Sequence, residues 1–205
     1  MDYKYLLIVF LLITVSFLSC LSVEDAYLAV KSSYKAIENF QADLVQKNSF
    51  KAEDTEIESK AKFYYQPDKI LIKYTEPQEQ MILMSGIDVK FYDKDSNTCV
   101  QMRDNDNSIQ LNPIYVIDKF WKYSDKKLKE NKTAYILHLR PLQEEEFRSI
   151  VVEINKKSYF ITRITYEDPQ ENSVEISFTN IDTNTEIPNE IWKLNLPSDV
   201  NYIKR

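Results

Sequence analysis

Glycine is almost missing from this chain: Gly86 is the only one in 205 residues, where average usage near 7% would give about fourteen. One glycine cannot build the G-x-G-x-x-G turn or the phosphate-cradling P-loop, so nucleotide-binding motifs of those kinds are excluded. Histidine is equally scarce. His138 stands alone in the run Tyr135-Ile136-Leu137-His138-Leu139-Arg140, so any Ser-His-Asp or Cys-His site would have to use it. A histidine on a strand surface is the simpler reading. Metal sites need clusters of His, Cys or carboxylate. The one acidic run, Glu144-Glu145-Glu146 after Pro141, reads as a solvated turn, so no metal and no cofactor is expected. The 32 acidic residues guarantee chance pairs, and nothing singles out two of them for glycosidase work. Basic excess is missing as well. The net charge of −6 speaks against a nucleic-acid partner and predicts weak repulsion from anionic membranes. Together these absences leave no catalytic motif, and the chain is not expected to be an enzyme.

Long apolar runs are confined to the start. Lys4 precedes an uncharged stretch, Leu6 to Leu18, that is too short for a comfortable membrane span and matches a signal peptide over residues 1–20. Its end has two readings. Phe17-Leu18-Ser19-Cys20 resembles a bacterial lipobox with Phe where Leu is usual, which would leave Cys20 as the lipidated first residue. Ordinary cleavage, for example after Ser22, is the alternative. Both send the chain out of a bacterial cytoplasm, where the Asn131-Lys132-Thr133 sequon has little use. With Cys20 removed or acylated, Cys99 is the one remaining thiol, and no internal disulfide can form. Residues 21–205 are then a single domain that must be held by its core.

The remaining sequence reads as one helix followed by strands. Ser22 can cap the helix, with Glu24 and Asp25 in its first turn; Ala26, Val30, Tyr34 and Ile37 form one apolar stripe. Strands are predicted at Phe40–Gln46, Ile57–Tyr65, Lys69–Tyr74, Glu79–Ser85, Asp88–Tyr92 and Thr98–Met102. A short helix is predicted from Ile114 to Trp121. More strands follow at Ala134–Arg140, Phe147–Ile154, Tyr159–Tyr166, Ser173–Ile181 and Glu190–Leu196. Val174, Ile176 and Phe178 alternate with polar residues, as do Trp192, Leu194 and Leu196 with their neighbours, the mark of a sheet with one buried face. The seven prolines fall between these elements or at their ends. The pattern is a long antiparallel meander, a curved sheet wrapped over helices. Its 14 Tyr and 10 Phe either fill a core or line a cavity for apolar ligands.

Specific stretches carry a family likeness. Gln66-Pro67-Asp68-Lys69-Ile70-Leu71-Ile72-Lys73-Tyr74-Thr75-Glu76-Pro77-Gln78-Glu79, followed by Met81 through Tyr92, resembles the bacterial outer-membrane lipoprotein carrier family, LolA. Phe40 to Gln46 is similar to that family's exit from its first helix, Pro113 to Ile117 to its mid-chain helix, and Trp192 to Pro197 to its closing motif. The resemblance implies an unclosed antiparallel β-barrel of about 10–11 strands, with helices covering the concave hydrophobic face. It implies a periplasmic carrier, acting as a monomer, that takes acylated lipoproteins from an inner-membrane ABC transporter, shields their acyl chains and delivers them to an outer-membrane acceptor. Ile70 and Ile72 stand where the family has bulky cavity residues. Phe63, Met81, Leu83, Phe91, Ile114 and Ile117 complete the expected lipid-binding lining. Gln66 replaces the family's usual Arg before the proline, a position implied to link barrel and lid. Three other readings remain open: a receptor of the same fold tethered through Cys20, a periplasmic lipid-sensing regulator, and an exported enzyme.

The run Met81-Ile82-Leu83-Met84 is apolar at successive positions, where a half-buried strand should alternate. It is expected to be buried on both faces, with Gly86 turning the chain sharply into the next strand.

Overall fold

The computed structural model describes residues 21–103, 113–143 and 147–204. The expected signal peptide, Cys20 and the Glu144–Glu146 run lie outside the described residues.

Helix α1, Val23–Lys35, starts where the sequence says it should. The Ser22 hydroxyl accepts the Asp25 N–H at 3.0 Å, and Glu24 and Asp25 occupy the first turn. Such a cap satisfies one of the orphan amides at a helix start, worth about 1 kcal/mol. Ala26, Val30 and Tyr34 are its buried stripe. The Tyr34 hydroxyl accepts the backbone N–H of Ile161 at 3.2 Å, which ties the helix to the sheet. Burial pushes that phenol up from its ordinary range, so it stays neutral.

The strands are β1 Phe40–Phe50, β2 Thr55–Gln66, β3 Lys69–Glu76, β4 Gln80–Ser85, β5 Asp88–Asp93, β6 Thr98–Arg103, β7 Ser124–Glu130, β8 Ala134–Pro141, β9 Ser149–Asn155, β10 Ile161–Glu167, β11 Ser173–Asp182 and β12 Asn201–Lys204. Helix α2, Pro113–Trp121, lies between β6 and β7. The strands form one 12-stranded sheet in the order β12-β6-β5-β4-β3-β2-β1-β11-β10-β9-β8-β7. Neighbours run antiparallel except β12 beside β6. The end strands β7 and β12 are not paired with each other, so the barrel is unclosed. Its inner face packs against α1 and α2 in one large core that includes Val30, Phe40, Phe63, Ile117, Leu137 and Ile154.

Three elements differ from expectation. Strand β7, SDKKLKE, was not foreseen because its alternation is carried by Ser124, Lys126 and Leu128, with only one apolar side chain. Strand β12 is four exposed residues long. Glu190–Leu196 is not a strand. Asn189–Trp192 is a 3-10 helix and irregular chain follows it. This segment straps across the outer face, where Trp192 and Ile187 bury Leu71, with Tyr64, Leu83, Ile191 and Leu194 packed around them.

That strap explains the apolar run in β4. Ile82 and Met84 pair with Ile72 and Ile70 and join the inner core. Leu83 pairs with Leu71 and faces the strap. Gly86 is the first residue of the two-residue β4–β5 loop, at φ +57°, a position where hairpins of the II′ type call for glycine. A Cβ there would touch nothing, so only the backbone angle demands glycine. The Gly86 N–H donates to the Asp68 carbonyl at 2.9 Å, joining this turn to the β2–β3 turn.

Candidate binding cavity

Cross-strand register decides what faces inward. In the middle of the sheet Ala42 pairs with Phe63 and Phe63 with Ile72; on the other flank Leu44 pairs with Phe178 and Ile176 with Ile164. These rows form a trough, and α2 lies over it. Between them is a cavity of about 280 Å³. Its floor is Leu44, Phe63, Ile72, Ile164, Val174, Ile176 and Phe178. Its roof is Pro113, Tyr115, Val116, Lys119 and Phe120 of α2, and Phe147 and Tyr166 close one side. Phe63 meets Phe178 edge to face at 5.3 Å, and Phe147 packs on Tyr166 at 4.9 Å. Gln46 and Tyr74 are its polar residues on the sheet side. The Tyr74 hydroxyl donates to Gln46 Oε1 at 2.8 Å. Burial raises the pKa of both Tyr74 and Tyr166, so the lining is uncharged apart from Lys119, whose amine lies 5.2 Å from the Phe120 ring centre.

The roof is fastened to α1. Tyr27 stacks on Trp121 with ring centres 3.9 Å apart, and its hydroxyl donates to Asp118 Oδ1 at 2.7 Å. Lys31 pairs with the other oxygen of Asp118 at 3.2 Å.

The structure brings together some of the residues expected from sequence. Phe63 and Ile72 line the cavity. Ile70, Ile114 and Ile117 belong to the same core beyond the lining. Phe91 pairs with Ile82 and so shares the inner face, away from the cavity. Met81 and Leu83 point to the outer face, because their partners there are Lys73 and Leu71. The unbroken apolar run of β4 gave no sign of which face was inner; Ile82 and Met84 hold that place. Gln66 donates to Asn39 Oδ1 at 2.7 Å, joining the end of β2 to the α1–β1 connection rather than to α2. The lining residues Tyr74, Tyr166, Phe120 and Phe147 were missed. The alternation of Val174, Ile176 and Phe178 was the one available signal for the far flank.

His138 lies half-buried on the outer face opposite Lys127. Burial and the neighbouring Lys129 and Lys127 lower its pKa. Among the described residues no group of His, Cys, Asp or Glu could hold a metal ion, and no helix is long and apolar enough to cross a membrane.

The sequence profile of the outer membrane lipoprotein carrier protein LolA matches residues 35–195. The chain belongs to the LolA family. The match runs from the end of α1 through the strap, and so includes the whole trough, its α2 roof and the cavity between them. Among solved structures, an uncharacterized conserved protein from Thermus thermophilus superposes with a TM-score of 0.61 at 13% identity, covering 89% of this chain and 98% of that one. MucB in the Pseudomonas aeruginosa MucA/MucB complex superposes with a TM-score of 0.55 at 9% identity over 82% of this chain and 60% of that one. This LolA-family chain therefore spans three-fifths of the MucB chain. At these identities the likeness is one of fold. No curated protein sequence matches the chain significantly.

Proposed function

We propose that this LolA-family protein is a periplasmic carrier that shields the acyl chains of lipoproteins and passes them from an inner-membrane releasing transporter to an outer-membrane acceptor. The observation that carries this reading is a largely apolar cavity in the trough, with Lys119 as its one charged side chain among the described residues, roofed by a separate helix. The physical need is large. Each methylene kept from water is worth about 0.8 kcal/mol, so a C16 chain opposes transfer through water by on the order of 11 kcal/mol. The cavity, about 280 Å³, sits at the lower end of the roughly 300–1,000 Å³ of small-ligand sites. It suits part of an acyl chain, so taking up a lipoprotein anchor requires α2 to lift from the trough. The Tyr27–Asp118–Lys31 contacts are what such lifting breaks. No covalent chemistry is needed, and the protein works as a binding device and as a monomer.

The test is purification from cells that make acylated lipoproteins, followed by mass spectrometry of what accompanies the protein and titration with a neutral apolar dye. Acylated proteins in the complex and dye binding that weakens in Phe63→Asp support the carrier. If neither cargo nor dye binds, the reading fails, and a protein partner of the kind MucB has in its complex becomes the next candidate.

A further inference from the structure

The trough changes chemistry along its length. Around Phe63 it is apolar. Toward the β1–β2 hairpin the inward positions become Gln46 opposite Ser59, then Asn48. With Tyr74 and Gln80 these line a second cavity of about 310 Å³. Gln46 and Tyr74 line both cavities, so the apolar space opens onto the polar one across the Tyr74–Gln46 hydrogen bond. From there Gln46 Nε2 donates to Asn48 Oδ1 at 3.0 Å. The Asn48 amide N–H groups and the Ser59 hydroxyl have no partner among the described residues. No basic side chain among the described residues lines this second cavity. Its charged residue is Glu76 at the rim, already paired with Lys60 at 2.7 Å. Behind Gln80 stands Asp93, which accepts its amide at 2.8 Å.

We propose that this second cavity seats the uncharged polar junction of an acylated ligand, the ester and amide groups joining acyl chains to a peptide. It thereby selects acylated peptides over anionic phospholipids with the same chains. The proposal rests on the carrier reading. Amide side chains both donate and accept, which matches ester carbonyls and peptide N–H groups. A phosphate calls for Arg or Lys, and none lines the space; the ionised group of the wall is the Glu76 carboxylate, already paired with Lys60. A ligand that is apolar throughout leaves Asn48 and Ser59 desolvated without partners, which costs binding.

Competition measures this directly. A neutral naphthylamine dye occupies the apolar cavity of the full protein. It is displaced by a short-chain diacylglyceryl-cysteine peptide with no net charge, or by phosphatidylglycerol with the same chains. The peptide is expected to compete at least about tenfold better, the equivalent of one or two net hydrogen bonds. Asn48→Leu, which lines the second cavity alone, should narrow that ratio while dye affinity stays near that of the parent; Gln46→Leu should narrow it too, with a change in dye affinity because Gln46 also borders the apolar cavity. Gln46→Lys should move it toward the phospholipid. Equal competition by the two amphiphiles in the parent, or an unchanged ratio in both leucine variants, overturns the subsite and leaves the carrier reading standing. Failure of the dye and of both amphiphiles to bind overturns the carrier reading, and the subsite with it.

Discussion

The two flanks of the sheet share an inner core and differ on the outside. On β3 and β4 the outer face is covered by the strap, and Leu71 is as deeply buried there as Ile72 is on the inner side, at 0% and 2% exposure. On β1, on β2 before Tyr64, and on β9–β11 the outer face is bare, and charged side chains fill it: Lys47 with Glu56 and Glu58, Lys62 with Asp43, Arg163 with Glu153 and Glu175. The same backbone pairing thus supports two surface chemistries. What covers a strand sets whether its sequence alternates.

The largest expected effect separates the neighbours Leu71 and Ile72. Leu71→Ala opens a void in a small, closed cluster and should cost about 3–5 kcal/mol in urea unfolding. Ile72→Ala widens a cavity that already exists, so fewer contacts are lost, and about 2–3 kcal/mol is expected. Its dye affinity should change, whereas that of Leu71→Ala should not. A greater cost at Ile72 would break the comparison. Next, Gly86→Ala should cost about 1–2 kcal/mol in a thermal melt, from the left-handed backbone alone, since no neighbour obstructs a Cβ. Tyr27→Phe removes the hydrogen bond to Asp118 and should cost about 1 kcal/mol. Faster amide exchange within α2 and faster dye uptake are its signatures; exchange raised equally over the sheet would deny α2 a separate motion.

The bare flank supplies the smallest effect. Arg148, chiefly, and Ser149 hold the Glu167 carboxyl below its ordinary value of 4.5. A depressed carboxylate contributes stability above the unfolded pKa and loses it as pH falls through the folded one. Acidification below about 4.5 should therefore weaken the parent more than Glu167→Gln, by less than about 1 kcal/mol because the pair is partly exposed. High salt should shrink the difference. A Glu167→Gln curve parallel to the parent's would remove this pair from the acid response.

Where one face was wet, the strands were legible. Alternation located β1, β2 and β8–β11 within a few residues, and Ser22 with Glu24 and Asp25 located α1. The strap was misread because Trp192, Leu194 and Leu196 recur at period two, as they would in a strand, while the chain there bends around Pro188 and Pro197 to cover another surface. The cavity was half legible. Ile72 follows from the family motif and Phe63 stands in the expected lining beside it, but β4 is apolar on both faces, and periodicity cannot assign a face when both are buried. Only the register of β4 against β3 settles that Ile82 faces inward and Leu83 outward.

The place of β1 in the sheet has a consequence for how the chain is assembled. β1 is flanked by β2, its immediate successor, and by β11. Asn180 reaches Asp43 across 137 residues of chain. A chain that emerges from its amino end can zip β1 through β6 as it appears, each strand onto the last. The other side of β1 stays open until β11 arrives, and the strap and β12 come later still. Until then the chain exposes an unpaired strand edge and an apolar trough that lacks its far flank. Long-range pairing of this kind folds slowly and invites association with other chains. The apolar inner face that the finished sheet and its helices hide from water is therefore exposed while the chain is still incomplete.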